Sequence, residues 1–253
     1  VTVEHLLSHI ETSVRKITTE EIRTYLAEYQ KNNKCSNVTV DNIRRNISSF
    51  FSWLEEEDYI LKSPMKRIHK IKTKTVVKSV ITDEGIERLR DNCKEIRDLA
   101  IIDLLYSTGI RVGELVNLNV DDIDLEGREC IVYGKGDKER RVYFDAKAKV
   151  HLKKYIDHRK DNNSALFVTL DAPHDRLKIS GVEIRLRELG RRIDLERIHP
   201  HKFRRTMATR AIDKGMPIEQ VQKILGHSQI DTTMQYAMVN QNNVKTSHQK
   251  YMS

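Results

Sequence analysis

Apolar residues recur at helical spacing along most of this chain and give way to strand-like runs at one place, which favours a mainly helical fold with one small β element. Thr18-Thr19-Glu20-Glu21 has the form of a capping box, in which a hydroxyl and a carboxylate each satisfy an orphan N–H at a helix start. Ile22, Tyr25, Leu26 and Tyr29 follow on one face. A second helix is predicted from about Val40, with Ile43, Ile47, Phe50, Phe51 and Leu54 on its apolar stripe. Its other side carries Arg44, Arg45, Ser48, Ser49 and Ser52, a face suited either to phosphates or to plain solvent. Thr82 is an N-cap by type, and from there helix resumes into a long apolar helix through Ile101, Ile102, Leu104 and Leu105 that stops at Gly109. A short helix carrying Arg111 comes next. Cys130 and Val132, then Val142 and Phe144, flank Gly134-Lys135-Gly136-Asp137-Lys138 and predict a β-hairpin with a glycine-rich turn. Helix dominates again from about Ala146, so the expected fold class is α+β, mainly α with a small β-hairpin or sheet.

A length of 253 residues accommodates two domains. Ser63-Pro64 opens a basic stretch without periodicity, Lys66 to Lys78, holding Lys66, Arg67, Lys70, Lys72, Lys74 and Lys78. It reads as a linker, dividing the chain into residues 1–76, with the linker from about 66, and residues 77–253. Such a segment suits either a crossing over a DNA duplex or a soluble tether. The formal charge of +8 comes from Lys and Arg spread over the whole length, which points to a polyanionic partner. No apolar run approaches the ~20 residues needed to span a bilayer, and the best, Leu99 to Tyr106, is interrupted by Asp103. Cys35, Cys93 and Cys130 are odd in number and far apart, so neither a disulfide framework nor a zinc site is suggested and a reducing cytoplasm fits. The acidic cluster Asp121-Asp122-x-Asp124 reads as turn and capping carboxylates rather than metal ligands. The opening at Val1, without an initiator Met or a signal-peptide pattern, is that expected of a fragment.

Five clusters combine cationic or proton-transferring side chains with backbone punctuation that exposes them. They are Thr108 to Leu115, Gly134-Lys135-Gly136, His201-Lys202-Phe203-Arg204, Leu225-Gly226-His227-Ser228, and Tyr236. Singly, each has a bland reading: an Arg after Gly sits on surfaces, a His near a helix start caps, and a Tyr in a helix packs. Together, in residue type, order and spacing, they resemble the catalytic motifs of the tyrosine recombinase or phage-type integrase family, which includes the bacterial Xer recombinases and transposon integrases. The resemblance covers about Val80 to Ala237, and Ile17 to Pro64 is similar to that family's helical, SAM-like core-binding domain. It implies that Arg111 is the first catalytic arginine, Lys135 the hairpin lysine, His201 and Arg204 the His-x-x-Arg pair, His227 the second histidine, Tyr236 the nucleophile and Glu114 a supporting residue. Arg205 departs from the pattern, since a His commonly follows the second arginine.

The same resemblance implies site-specific cleavage and rejoining of double-stranded DNA, through a 3′-phosphotyrosine and a Holliday junction, by a homotetramer on paired sites. No metal, ATP or other cofactor is expected, and the setting is a bacterial-type cytoplasm, acting at the nucleoid. The tail from Val239 to Tyr251 either packs on a neighbouring protomer or frays. Physical chemistry explains the residue types: a phenol of pKa near ~10 is a weak nucleophile, and the phosphodiester's negative charge repels it. Paired guanidinium donors offset both problems. Beyond the catalytic set, Arg44, Arg45, Lys70, Lys72, Lys74, Lys138, Arg140 and Arg205 are candidate DNA contacts. A type IB topoisomerase and a catalytically inactive DNA-binding module are the competing readings; the short N-terminal helical domain disfavours the first and the complete residue set the second.

Overall fold

The capping box at Thr18 closes in the structure, a computed structural model that describes residues 2–10, 12–72, 79–134, 139–195 and 197–237. The Thr18 hydroxyl accepts from the Glu21 amide at 3.3 Å, and the Glu21 carboxylate accepts from the Thr18 amide at 2.7 Å. This starts α2 (Thr19–Asn33), which follows α1 (Thr2–His9); both pack on α3 (Asn37–Glu56). The third helix begins earlier than its apolar stripe indicates, because the Ser36 hydroxyl caps the Thr39 amide. Ile22, Tyr25, Ile47 and Phe51 form the centre of this core, with Tyr29 and Phe50 at its edge.

The stretch expected to be a linker from residue 66 is, up to Lys72, part of this unit. Pro64–Arg67 form a single 3-10 turn with Met65 buried, and Ile68 and Ile71 pack against the same core. The Thr19 hydroxyl donates to the Pro64 carbonyl at 2.7 Å, and the Asp41 carboxylate accepts from the Ile71 amide at 3.0 Å. Apolar residues every third position hold the strand of chain down while the lysines between them point outward. Lys74 and Lys78 lie outside the described residues.

The chain divides into two units, Val1–Val76 and Val77–Ser253. In the second, Thr82 caps α4 (Asp83–Asp91), and a break at residues 92–95 precedes α5 (Ile96–Thr108), so the helix expected from Thr82 onward is two. Ile102, Leu104 and Leu105 of α5 are fully buried and pack between α7 (Ala146–His158) and α9 (Pro200–Asp213). Gly109 ends α5 at φ +63°, where a Cβ would run into Met207. That turn leaves Arg111 as the N-cap of α6 (Val112–Asn117) rather than within it.

Three antiparallel strands follow, β1 (Ile123–Asp124), β2 (Glu129–Tyr133) and β3 (Glu139–Tyr143), with Cys130 opposite Val142. The hairpin agrees with the sequence; β1, two residues paired through Ile123 and Cys130, has no sequence signal of its own. Asp122 accepts from the Asn119 amide and Asp124 from the Gly127 amide, the capping and turn roles expected of them. Helices α8 (Ile179–Arg192), α10 (Ile218–Leu225) and α11 (Asp231–Ala237) complete the unit. Among the described residues the cysteines are free, and no helix is long and apolar enough to cross a membrane.

Candidate active site

The end of α10 organises the site. Its last carbonyls lack intrahelical partners and carry the negative end of the helix dipole, so they attract cations. Three guanidiniums from three different elements meet them in succession. Arg140 Nε donates to the Ile224 carbonyl at 3.0 Å, Arg204 Nη2 to that of Leu225, and Arg111 Nη2 to that of Gly226 at 3.1 Å. Arg204 also donates to the Gly109 carbonyl at 2.7 Å, which ties α9 to the turn before Arg111.

Glu114 binds the cluster together. Its carboxylate accepts from both terminal nitrogens of Arg140 at 2.7 Å each, from Arg111 Nη1 at 2.9 Å and from the Arg111 amide at 2.7 Å. Burial pushes this carboxyl up, yet the hydrogen bonds from Arg140 and the Arg111 amide outweigh it and hold the pKa below the ordinary range. Glu114 is therefore ionised at neutral pH. Burial and the neighbouring Arg111 charge lower Arg204 to about 10, which still leaves it a cation.

His227 follows Gly226, whose φ of +63° turns the chain out of α10. The Gln222 carbonyl accepts from the His227 amide at 3.2 Å, and the Gln222 side chain donates back to the His227 carbonyl at 3.0 Å. The ring Nδ1 lies 2.9 Å from the Thr233 hydroxyl on α11. Burial, then the charges of Arg204, Arg111 and Arg140, depress its pKa to about 4, so the imidazole is neutral near pH 7. Tyr236 stacks beside it, ring centroids 6.2 Å apart and planes inclined by 27°. The tyrosine is half-buried against a small core of Ala208, Val221 and Leu225. Arg111, Gly134, Arg140, Gly226, His227 and Thr232 line a cleft of about 590 Å³.

His201 stands on the first turn of α9, three residues before Arg204 and so on the same helix face. It is exposed; burial of part of the ring and the charges of Arg204, Arg111 and Arg205 lower its pKa. Among the described residues it makes no hydrogen bond to Tyr236. The structure thus gathers Arg111, Glu114, Arg204, His227 and Tyr236, with His201 in the same electrostatic field. Lys135 and Lys138 lie outside the described residues, as does the tail from Val239 to Tyr251; Gly134, adjacent to Lys135, lines the cleft.

Arg140 is held in a structural role: its Nε donates to the Ile224 carbonyl and both terminal nitrogens to the Glu114 carboxylate, while the residue still lines the cleft. The signal was in the alternation of β3, because Arg140 shares a face with buried Val142. Arg205 is half-buried and donates to the Ser79 carbonyl at 2.9 Å, and its neighbour Thr206 accepts from the Ile81 amide at 2.9 Å. These bonds fasten the entry of the second unit onto α9. Arg44 is largely covered and paired with Asp41 at 2.8 Å, whereas Arg45, Lys70 and Lys72 are exposed.

Known proteins share this arrangement of elements. The sequence profile of the phage integrase family matches residues 79–243, and that of the phage integrase N-terminal SAM-like domain matches residues 1–61. The tyrosine recombinase XerC of Oceanobacillus iheyensis is 30% identical over 96% of this chain and 82% of its own. The crystal structure of XerA recombinase is 25% identical, covers 100% of this chain and 89% of its own, and superposes with a TM-score of 0.62. The Tn1549 transposon integrase in complex with transposon right end DNA shares the fold at a TM-score of 0.81 and 19% identity, over 100% of this chain and 93% of its own. With its profile spanning most of the sequence and relatives aligned along nearly all of it, the chain belongs to the phage integrase family and is a site-specific tyrosine recombinase.

Proposed function

We propose that this recombinase cuts and rejoins double-stranded DNA through Tyr236, conserving the broken bond as a 3′-phosphotyrosine. The observation that carries this reading is the capture of α10's last carbonyls by Arg140, Arg204 and Arg111, which holds two guanidiniums beside His227 and Tyr236. Arg111 and Arg204 present donors to the non-bridging oxygens of one phosphate and neutralise charge that grows as phosphorus becomes pentacoordinate. His201 accepts the phenolic proton as the tyrosyl oxygen attacks. Lys135 gives a proton to the departing 5′ oxygen, so the P–O5′ bond breaks to a hydroxyl rather than to a basic alkoxide. Attack by a 5′ hydroxyl of another strand reverses these steps and needs no ATP. The guanidiniums supply the charge neutralisation that a metal ion supplies in many phosphoryl-transfer enzymes, so the reaction is assigned as metal-independent.

Strand exchange by a homotetramer through a Holliday junction follows from the family resemblance, and the DNA complex of the Tn1549 integrase supports a duplex partner. The test is a suicide substrate nicked near the scissile phosphate. The full chain is expected to form a covalent protein–DNA adduct that survives denaturation and is unaffected by chelator. Tyr236→Phe abolishes the adduct and retains duplex binding. An adduct that persists in Tyr236→Phe assigns the nucleophile elsewhere, and one lost to chelator overturns the metal-free assignment. Paired cognate sites that are only relaxed, with no recombinant product, indicate a topoisomerase.

A further inference from the structure

Thr233 is fully buried on α11, and among the described residues its hydroxyl has one partner, the Nδ1 of His227 at 2.9 Å. A neutral imidazole carries its proton on one nitrogen only, so this contact exists in two forms. If Nδ1 carried the proton and donated it, the hydroxyl hydrogen of Thr233 would be left in the interior without an acceptor, a costly arrangement. If the hydroxyl donates, both groups are satisfied and the ring proton sits on Nε2. We infer that Thr233 is a positioning residue that fixes the tautomer of His227, donating to Nδ1 so that Nε2–H is the group offered to the scissile phosphate.

Other contacts agree. The His227 backbone is clamped on both sides by Gln222, so the ring's remaining freedom is rotation about its own side-chain bonds, and Thr233 removes it. The Thr233 amide is itself held by the Ile230 carbonyl at 2.7 Å, which fixes the hydroxyl relative to the loop after Gly226. Burial, then the charges of Arg204, Arg111 and Arg140, keep the ring uncharged, so it has one proton to place. The two histidines then have different work: His227 is a donor, and the proton of Tyr236 is left to His201. The role at the phosphate rests on the proposed function; the tautomer does not.

The tautomer is read without DNA. In the full chain labelled with 15N at histidine, long-range proton–nitrogen correlation of the His227 ring, assigned through His227→Gln, is expected to show Nε2–H; an Nδ1–H ring overturns the inference. In the suicide-substrate assay, Thr233→Val, close in shape but without the hydroxyl, is expected to slow adduct formation about 10–100-fold at unchanged duplex affinity. Thr233→Ser, which retains the donor, is expected to restore the rate to within about threefold and to keep the Nε2–H spectrum. A Val variant with the native rate and spectrum, or equal losses in Val and Ser, assigns Thr233 to packing alone. If Tyr236 formed no adduct, the proposed function would fail while the ring spectrum still decided the tautomer.

Discussion

A carboxylate as deeply buried as Glu114 is tolerated only while its donors remain in place. Arg140 and Arg111 supply them, and neither belongs to the helix interior that buries Glu114. Arg140→Lys is expected to lower stability by about 3 kcal/mol, because a single ammonium cannot reproduce the fork and the buried charge is left underpaired. Urea unfolding with the fluorescent Trp53 unit and the second unit followed separately, the latter by hydrogen exchange, checks this. Adduct formation falls with it while duplex affinity holds, the opposite of what a phosphate contact gives. A second expectation concerns pH. The His227 pKa is depressed in the folded chain from an ordinary 6.5 to about 4 by burial, Arg204, Arg111 and Arg140. Between those values the unfolded chain binds more protons than the folded one, so stability declines as pH falls from 6.5 towards 4. His201 and His199 are shifted in the same direction and add to the slope. His227→Gln flattens it, by roughly 1 kcal/mol after allowance for solvent screening of the half-open ring; an unchanged slope in that variant would remove His227 from the linkage.

At the scale of elements, the turn from α10 into His227 has little room for a side chain. Gly226 has φ +63°, and a Cβ there would stand 3.0 Å from Arg140 Cδ and 3.1 Å from its Nε. Gly226→Ala is expected to cost about 1–2 kcal/mol from the left-handed backbone alone. Its larger effect is on chemistry, since shifting Arg140 disturbs Glu114 and through it Arg111; a thermal midpoint a few degrees lower with adduct formation reduced at least tenfold is the expected pair of results. The caps and the hairpin were legible in the sequence because a capping box, a glycine turn and β-branched flanks are local chemistry. The break at residues 92–95 and the two-residue β1 were not, since each depends on packing or pairing with distant chain. The basic stretch misled for a related reason: Met65, Ile68 and Ile71 anchor it, but six lysines and arginines dominate its composition. The residues proposed to be catalytic were picked out by motif order, whereas the contacts that hold them, Arg140 to Glu114 or Arg204 to Leu225, join different elements and appear only on folding.

Charge is a property of the whole molecule, and the structure sorts the basic residues into two populations. Arg111, Arg140 and Arg204 are fixed by carbonyls and a carboxylate, while Arg45, Lys70 and Lys72 stand exposed on the first unit. Surface cations that neutralise phosphates displace condensed counterions, and the logarithm of duplex affinity then falls linearly with the logarithm of salt concentration. Replacing Arg45, Lys70 and Lys72 with Gln is therefore expected to weaken binding by a similar factor on cognate and unrelated duplexes. It should also reduce the magnitude of the salt slope by about one for each phosphate that is no longer neutralised. At saturating DNA the adduct rate of this triple variant is expected to stay at the native level, because the groups proposed for the chemistry all belong to the second unit. A salt slope identical to that of the native chain would mean that these cations face solvent only, and the groups that neutralise the phosphates would have to be sought on the second unit.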